Sequence, residues 1–411
     1  MDADVIVVGA GPAGCATAWA LAREGVDVLM LDRAHFPRDK VCSEYLSPEA
    51  SRILDAMGAL TLCEQAGAAQ LHGMTVRAPN GARVRGDFAG AHGYRGYRDR
   101  GLALRRVVLD SILVGRARAS GVRVEEGVRV TDLVRDGRGM VCGVRTLLPD
   151  GSTRDRQARL VVGADGLRSV IARRLGLTRV ARYPRRLAIV AHYRGVSGMT
   201  SYGEMYVERD GYGGFANVGN GITNVAVVVP MKRAREAQRD LGAFMTGWLS
   251  RRPYLAARLE GAERLGPARA TSPFASRSKR AWAPGVALVG DAADFYDPFT
   301  GEGIFAALRG GEILAEHARA MLGANGTRQA DAALAAYDRR RRELFGGKWI
   351  VERMVGAAIA FTPLMNRAAV TLARRKDMAD LLVGVAGDFV PPRAVLTPSF
   401  IFTLFASPSG S

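Results

Sequence analysis

The sequence predicts an α/β fold: a Rossmann-type domain, an inserted antiparallel β-rich domain and a helical C-terminus. The first observation is a short apolar strand, a glycine-rich turn, a helix and a second strand at the very start of the chain. The second is a middle section of short strand-like segments separated by turn signals. The third is a final section with apolar residues at helical spacing.

The opening segment has the order of a dinucleotide-binding βαβ unit. Residues 5–8 form an unbroken apolar run, as expected for a parallel strand buried on both faces. Gly9, Gly11 and Gly14 follow in GxGxxG spacing, and residues 13–23 read as a helix. Gly9 makes the tight turn, Gly11 lets the backbone approach a pyrophosphate, and Gly14 lets the helix pack closely on the strand. The pyrophosphate is expected at the helix N-terminus, because free N–H groups and the helix dipole favour an anion there.

The second strand of this unit, residues 26–31, ends on Asp32. An acid at this distance from the glycines is placed to accept hydrogen bonds from ribose hydroxyls. A glycine-rich turn alone is a weak signal, since plain βα turns are common. The complete order of strand, glycines, helix, strand and acid predicts that the chain binds an adenine dinucleotide.

The composition describes a globular protein with a formal net charge of +18. Of the 58 basic residues only five are Lys and the other 53 are Arg, a skew that resembles the codon bias of a GC-rich genome. The Arg residues do not gather into a basic tail with interleaved aromatic residues, so nucleic acid is not a predicted partner. Attraction to an anionic membrane surface or an acidic substrate stays open.

The four cysteines (Cys15, Cys42, Cys63 and Cys142) have no metal-ligand spacing, and the five histidines are scattered. We therefore predict no metal site. The first strand begins at residue 4 with no signal peptide before it, and no uncharged apolar run reaches the roughly 18 residues of a membrane span. A reducing cytoplasm is the expected compartment, with contact at the inner membrane face as an option; the oligomeric state stays open.

Four domain segments follow from the order of the predicted elements. Residues 1–182 form the first part of the nucleotide-binding domain with β-rich insertions, residues 183–283 a mainly antiparallel β substrate domain, residues 284–325 a return to the first domain, and residues 326–411 a helical cap. The predicted helices cover residues 48–57, 102–119, 241–250, 303–322, 329–343, 349–361 and 367–385. The predicted strands further along the chain cover residues 74–77, 82–88, 122–126, 128–135, 141–148, 156–162, 187–193, 204–207, 214–218, 224–229 and 286–289.

The final segment allows two interpretations. It carries a basic patch at residues 374–376 and ends in the apolar sequence VLTPSFIFTLFA. Such a segment is predicted first as a helical cap over the substrate domain. The alternative is an interfacial segment through which the protein collects a lipid substrate from a membrane surface.

Two later motifs indicate which dinucleotide binds. Asp165 follows a buried strand in the sequence GADGLRS, and Gly290-Asp291 follows another strand far along the chain. A ligand that meets both motifs and the first glycines must be long and must run along the carboxyl edge of the sheet. Asp291 can accept hydrogen bonds from ribityl hydroxyls, and residues 298–303 bring bare backbone and a helix N-terminus to a flavin ring. The dipole of that helix would stabilise negative charge on the reduced flavin, so FAD is the predicted cofactor.

The motifs GAGPAG, GADGLRS and GDAADFYDPFTGEGI, in this order, resemble the superfamily of FAD-dependent aromatic hydroxylases (group A flavin monooxygenases), flavin halogenases and geranylgeranyl reductases. The resemblance spans most of residues 1–320. In this superfamily NAD(P)H binds transiently, and no second GxGxxG follows a strand here. The resemblance implies an FAD site made of Gly9, Gly11, Pro12, Ala13, Gly14, Asp32, Arg33, Lys40, Cys42, Arg106, Asp165, Gly290, Asp291, Pro298, Gly301, Glu302, Gly303 and Ile304.

The loop FPRDKVCSEYLSP resembles the FPR-x-K-x-CG loop of geranylgeranyl and menaquinone reductases, with Ser43 in place of the Gly. Residues 211–219 lack the Trp and Pro that reductases tend to carry, and the W-x-W-x-x-P sequence of halogenases is not evident. The loop resemblance implies Cys42 and Glu44 as catalytic candidates near the flavin. The alternative for Cys42 is an inert small residue in a packed loop. Tyr45 and Tyr212 are candidates for the pocket wall.

These signals predict a flavin-dependent oxidoreductase acting on a hydrophobic isoprenoid, quinone or polyketide-type substrate. The favoured activity is a reductase: NAD(P)H reduces FAD, and hydride passes to an alkene while an acid supplies a proton. The alternative is a monooxygenase that hydroxylates a phenolic or lipid-like precursor of secondary metabolism. The third is a flavin-binding protein without turnover. In the first two, the flavin performs the chemistry and the protein positions it.

Overall fold

The computed structural model describes residues 1–90, 92–148, 150–180, 185–271, 276–295 and 298–405. The predicted domain boundary at 182–183 and residues 406–411 of the predicted cap lie outside these ranges. The chain begins with the predicted βαβ unit: β1 (Ala3–Val8), α1 (Pro12–Ala22) and β2 (Val28–Asp32). β1 and β2 pair in parallel, and both are buried almost completely because apolar residues occupy both of their faces.

The next section crosses from the first domain to a second sheet and back. One prediction is wrong here: residues 102 and 103 of the expected helix 102–119 belong to a strand, because Leu102 pairs with Leu46 and Gln70. The helix begins only at Arg106. The elements are β3 (Tyr45–Leu46), α2 (Ala50–Ala56), α3 (Leu60–Gln65), β4 (Ala69–Leu71), β5 (Gly73–Arg77), β6 (Arg83–Asp87), β7 (Gly101–Ala103) and α4 (Arg106–Ala119).

The central sheet is then completed on the other side of β1. Its strand order is β19 (Trp282–Ala283), β20 (Val286–Leu288), β11 (Thr153–Gly163), β1, β2 and β8 (Arg123–Glu126). The long β11 pairs in parallel with β1 through its second half. The first half of β11 pairs with β10 in an antiparallel extension that also includes β9. These elements are β8 (Arg123–Glu126), β9 (Arg129–Arg135), β10 (Val141–Leu147), β11 (Thr153–Gly163), α5 (Val170–Arg174) and β12 (Thr178–Val180).

The predicted antiparallel β-rich domain forms a seven-stranded sheet, in the order β17-β13-β16-β15-β14-β5-β6. The sheet extends beyond the segment predicted for it, because β5 pairs in parallel with β14 and brings the β5–β6 hairpin into it. Helix α7 covers one face. The elements of this section are β13 (Arg186–Arg194), β14 (Tyr202–Glu208), β15 (Gly211–Asn217), β16 (Ile222–Pro230), α6 (Ala234–Ala237), α7 (Leu241–Ser250), α8 (Pro253–Leu259) and β17 (Glu263–Thr271).

The chain returns to the central sheet through β20 and continues into helices. The elements are β18 (Ser276–Ser278), β19 (Trp282–Ala283), β20 (Val286–Leu288), β21 (Asp294–Phe295), α9 (Gly303–Leu322), α10 (Thr327–Ala360), α11 (Thr362–Arg374), α12 (Lys376–Ala386) and α13 (Pro398–Phe405). Two predictions about the helices are wrong. Residues 329–343 and 349–361 belong to one 34-residue helix, and residues 367–385 are divided at Arg375.

Both differences have packing reasons. Gly346 and Gly347 lie inside α10 between the two predicted helices, and a Cβ on Gly347 would lie 3.0 Å from Pro392, so this glycine lets the segment after α12 pack closely on α10. Arg375 is extended (φ −114°, ψ 79°), and this turns α12 onto β6. Across the described part of the chain no single helix is long and apolar enough to cross a membrane; α10 and α11 pass that test together, but they meet at 113°.

The carboxyl ends of three parallel strands meet at one edge of the central sheet. Val8 of β1 is in register with Gly163 of β11, and Gly163 is in register with Leu288 of β20. The three predicted motifs follow these residues directly. The fold therefore brings segments that are far apart in sequence to the same edge, as expected for a ligand site in an open α/β sheet.

Candidate flavin site

The glycine-rich turn has the close contacts that the motif predicts. Gly9 has φ 103°, and a Cβ there would lie 2.5 Å from the carbonyl oxygen of Ala164. A Cβ on Gly14 would lie 1.9 Å from the carbonyl oxygen of Gly9. Around Gly11, in contrast, the nearest atoms to a Cβ are the guanidinium nitrogens of Arg38 and Arg106, at 3.8 and 3.9 Å. Gly9 and Gly14 are required by packing, whereas Gly11 faces open space beside two cations.

Gly11 is the N-cap of α1, with Pro12 at the first helical position. Free N–H groups at a helix N-terminus and two nearby guanidinium groups form a cradle for an anion such as a pyrophosphate. This geometry fits the FAD pyrophosphate that the sequence predicts, and Gly11 leaves the space that the phosphates require.

Asp32 lies at the carboxyl end of β2, and its side chain is buried. One carboxylate oxygen accepts from the N–H of Ala10 at 2.8 Å, and the other from the N–H of Ala34 at 2.8 Å. These bonds fix the carboxylate beside the glycine turn, with lone pairs left for hydroxyl donors. The neighbouring Arg33 is exposed.

Asp165 follows β11 and adjoins Gly9. Its Oδ2 accepts from the N–H of Val170 at 2.6 Å, at the start of α5, while Oδ1 has no hydrogen-bond partner among the described residues. Burial raises the pKa of Asp165. The side chain therefore supports a local helix N-terminus and keeps one acceptor beside the glycine turn.

A cavity of about 250 Å³, here called the edge cavity, lies between the sheet edge and the seven-stranded sheet. Gly9, Gly14, Asp32, Arg33, Glu44 and Asp165 do not line it. The structure brings these predicted residues to its wall: Gly11, Pro12, Ala13, Lys40, Cys42, Tyr45, Arg106, Tyr212, Gly290, Asp291, Gly301, Glu302, Gly303 and Ile304. Pro298 begins a short 3₁₀ turn that leads to Gly301.

Asp291 presents a carboxylate to the edge cavity and makes no hydrogen bond within the described chain. Burial raises the pKa of Asp291, against the attraction of the positive charges of Lys40 and Arg106. A carboxylate in such a place needs hydrogen-bond donors from a ligand. The hydroxyls of a ribityl chain supply donors of this kind, so Asp291 also fits FAD.

Gly301 places bare backbone at the cavity beside the start of α9. Its φ is 73°, and a Cβ would lie 2.7 Å from Cδ1 of Tyr45, so only glycine fits there. Glu302 is the N-cap of α9, a helix of 20 residues that begins at Gly303. The N–H groups of its first turn point towards the cavity end of the helix and favour negative charge on a ligand.

Cys42 lines the edge cavity within a network of charged groups. Arg106 donates to both carboxylate oxygens of Asp110, each at 2.7 Å, and Arg38 forms an ion pair with the same carboxylate at 2.7 Å. Although burial opposes the charge, Asp110 and the Cys42 sulfur raise the pKa of Arg106. The network therefore fixes the Arg106 guanidinium beside the Cys42 sulfur.

Glu44 is completely buried and does not line the cavity. Its Oε1 accepts from the N–H of Arg106 at 2.8 Å, and its Oε2 lies 2.7 Å from Nε2 of His192 and 2.9 Å from Nδ2 of Asn224. Its φ of 64° is unusual for a residue other than glycine. The structure therefore joins Glu44 to the seven-stranded sheet and leaves Cys42, two residues earlier, at the cavity.

Four polar residues of this region were not identified from the sequence: His192, Asn224, Lys348 and Asp388. Lys348 of α10 forms ion pairs with Glu302, at 2.9 Å, and with Asp388. The members of each cluster come from distant parts of the chain, so no local spacing indicates them. The signal available was a polar residue within an otherwise apolar strand, as for Asn224.

A second cavity, here called the apolar cavity, has a volume of about 170 Å³. It lies between strands β5, β6 and β14 of the seven-stranded sheet and helices α10, α11, α12 and α13. Met74, Met205, Phe299 and Glu302 line both cavities, so the two adjoin. Apart from Glu302 and Thr300, every side chain on its wall is apolar.

The ranges that the structure describes contain no group of three or more His, Cys, Asp or Glu residues able to hold a metal ion. The sheet-edge geometry, the anion cradle at Gly11 and the acceptors at Asp32 and Asp291 fit the FAD site of a flavoprotein oxidoreductase. The chain belongs to the FAD-binding domain family, which matches residues 2–347. This confirms the superfamily, the fold class and the enzyme class predicted from the sequence.

Two curated relatives are similar over most of the chain. Menaquinone reductase of Mycolicibacterium smegmatis is 33% identical over 328 residues, which cover 76% of each protein. Digeranylgeranylglycerophospholipid reductase 2 of Methanopyrus kandleri is 30% identical over 409 residues, covering 95% of this chain and 94% of the relative.

Solved structures show the same fold at lower identity. A flavoprotein/dehydrogenase from Cytophaga hutchinsonii has a TM-score of 0.83 and 21% identity, covering 98% of this chain and 96% of its own. A myxobacterial chondrochloren halogenase has a TM-score of 0.78 and 24% identity, covering 85% and 81%. At these identities the likeness shows the fold alone.

Proposed function

We propose that this protein is an FAD-dependent reductase that takes hydride from NAD(P)H and adds it to a double bond of an apolar, isoprenoid-type substrate. The observation that carries the proposal is the apolar cavity beside the edge cavity. A substrate whose reacting group lies in the edge cavity would extend its chain into the apolar cavity.

The walls of the apolar cavity favour a hydrocarbon chain. Met74 and Met205 lie at the junction of the cavities, and methionine side chains are unbranched and adapt to irregular ligands. The rest of the cavity wall includes Val355, Leu372 and Phe400, which come from three different helices. Each methylene transferred from water to such a wall contributes about 0.8 kcal/mol. An apolar chain of several isoprene units would therefore bind mainly through this cavity.

Bound FAD would supply hydride transfer, which no side chain can perform. Asp291 would hold the cofactor chain, and the N-terminus of α9 would stabilise negative charge on the flavin. Cys42 lines the same cavity and is the candidate proton donor. One alkene carbon would receive the hydride and its neighbour the Cys42 thiol proton, and the sulfur would then recover a proton from water.

The names of the two curated relatives support this substrate class. Both are reductases, and both names denote substrates that carry isoprenoid chains. One of them is similar over 95% of the chain. NAD(P)H as the hydride donor rests on the resemblance of the chain to this superfamily.

The same proposal includes transient contact with an anionic membrane surface on the cytoplasmic side. Phe361, at the corner between α10 and α11, is 61% exposed, and Phe402 on α13 is 74% exposed. Arg353 and Arg374 are exposed on the same group of helices. Exposed aromatic residues combined with basic residues suit an interface rich in anionic lipid. These helices also enclose the apolar cavity, so a lipid substrate would enter from that side.

The test is turnover of the FAD-loaded protein with NADPH or NADH and a set of prenylated quinones and lipids. A reductase gives a product with two added hydrogen atoms under strictly anaerobic conditions. A product that gains an oxygen atom and forms only with O₂ would show a monooxygenase instead. Oxidation of NAD(P)H in air that reduces only O₂, with no organic product in air and no turnover without air, would overturn both.

A further inference from the structure

The face of the seven-stranded sheet towards the edge cavity is mostly small and apolar. Ala188 and Val190 of β13 and Ala226 and Val228 of β16 line the cavity, whereas the alternate residues pack under α7. Asn224 continues the cavity-facing row of β16 and is 2% exposed. A buried amide in such a wall requires hydrogen-bond partners.

Hydrogen bonds fix the orientation of the Asn224 amide. Its Nδ2 donates to Oε2 of Glu44 at 2.9 Å and to the backbone carbonyl of Cys42 at 3.0 Å. Both amide hydrogens are thereby used. The reversed amide would place its oxygen against two acceptors, so only this orientation is favourable. The Oδ1 atom remains as an acceptor without a partner among the described residues.

Glu44 is the residue that holds Asn224. Its carboxylate also receives the N–H of Arg106 and lies 2.7 Å from Nε2 of His192. With three donors around a completely buried carboxylate, Glu44 makes no contact with a ligand in the cavity. Because Oε2 of Glu44 accepts this hydrogen bond, Nε2 of His192 carries the hydrogen. Glu44 and His192 are therefore positioning residues for Asn224.

We infer that Oδ1 of Asn224 accepts a hydrogen bond from an O–H or N–H group on the ring or head group of the substrate. The inference rests on the proposed function and narrows it. The substrate would be an apolar chain attached to a group with a donor, such as a phenol or hydroquinone hydroxyl, rather than a hydrocarbon throughout. Cys42, whose carbonyl orients the same amide, would then lie beside the reacting part of the substrate.

The experiment compares two probes: a geranylgeranyl-substituted phenol and its methyl ether, titrated into the FAD-loaded protein and followed by the flavin absorbance. We expect the protein to prefer the phenol, because the ether leaves Oδ1 without a donor. Asn224→Leu should weaken phenol binding about fivefold and leave ether binding nearly unchanged, since a neutral hydrogen bond contributes about 1 kcal/mol. Thr223→Val is the control: it removes a polar group from the opposite face of the same strand.

The positioning residues have their own readout. His192→Leu should reduce the preference for the phenol, and His192→Gln, which keeps a donor for Glu44, should restore much of it. If His192 had a purely structural role, its replacement would weaken the binding of both probes equally. Equal weakening of both probes, or a wild-type protein that binds them with equal affinity, would overturn this inference but not the proposed reductase activity.

Two further outcomes are distinguishable. If Asn224→Leu loses FAD affinity and keeps its preference for the phenol, the donor is the N3–H group of the flavin, and the substrate assignment is wrong. If the wild-type protein binds neither probe, the apolar substrate class itself fails, and the proposed function fails with it. FAD content is therefore measured for every variant before titration.

Discussion

The carboxylate of Glu302 lies 2.9 Å from the ammonium of Lys348, although both side chains are more than 90% buried. Lys348 also pairs with Asp388, which follows α12. This buried ion pair connects the flavin motif at the start of α9 with the C-terminal helices. It also lies at the partition between the two cavities, because Glu302 lines both.

Lys348→Met should destabilise the protein by about 3–5 kcal/mol, because it leaves two buried carboxylates without a cation. Denaturant unfolding of the FAD-loaded protein measures the change. Arg340→Met is the matched control, since its ion pair with Glu343 is exposed and contributes less than about 1 kcal/mol. A similar small loss for both variants would show that the buried pair contributes little.

Gly11→Ala and Gly14→Ala should have different effects. The space around Gly11 accepts a Cβ, and its φ of −82° suits alanine, so this variant should fold normally and bind FAD weakly. A Cβ on Gly14 would lie 1.9 Å from a carbonyl oxygen, so that variant should be unstable with or without flavin. Unfolding of the flavin-free proteins separates the two cases. Normal FAD affinity in Gly11→Ala would contradict the pyrophosphate cradle.

Asp291→Ala should be purified with little flavin, because it removes the acceptor expected for the ribityl hydroxyls. The ratio of flavin absorbance to protein absorbance measures the occupancy. Asp331→Ala, on α10 and remote from the edge cavity, is the control for loss of one carboxylate. Full occupancy in Asp291→Ala would contradict the cofactor assignment.

Cys42→Ala should lower turnover at least tenfold while FAD binding stays unchanged, since loss of general acid catalysis typically costs roughly 10²-fold or more. The measurement is the steady-state rate with the prenylated quinone or lipid that the protein turns over. Cys142→Ala is the control, because this partly exposed thiol lies on β10 outside the cavity. Unchanged turnover in Cys42→Ala would make Cys42 an inert residue of a packed loop.

Phe361→Asp combined with Phe402→Asp should abolish flotation with vesicles that contain anionic phospholipid. Leu62→Asp is the control, since Leu62 is a 40% exposed apolar residue on α3, away from the C-terminal helices. Wild-type protein that does not float, or variants that float equally well, would contradict the membrane contact. A change of oligomeric state in the double variant would show that this surface contacts a second copy of the chain.

The parts of this molecule that the sequence predicts are those with local signals. The strand at residues 5–8, the glycines beside it and the acid at Asp32 occupy one short segment, and their physical requirements are specific. Gly290-Asp291 is also recognisable because it ends a buried strand. The family match confirms the FAD-binding domain, and the roles of these individual residues stay predictions.

The rest depends on contacts between distant segments. Glu44 contacts His192, which lies 148 residues further along the chain. No residue near either of them in sequence indicates this contact. Leu102 has a helical pattern around it and still forms a strand, because Leu46 and Gln70 supply the pairing partners. Tertiary pairing here overrides local propensity.

The parallel pairing of β5 with β14 has a consequence for how this enzyme could be re-engineered. An exchange of residues 183–283 for the equivalent segment of a relative would replace five strands of the sheet and leave the β5–β6 hairpin behind. The new edge strand would meet a hairpin that did not evolve with it, and a poorly paired edge invites aggregation. A functional chimera therefore needs two crossover segments, one of which lies within the first hundred residues of the chain.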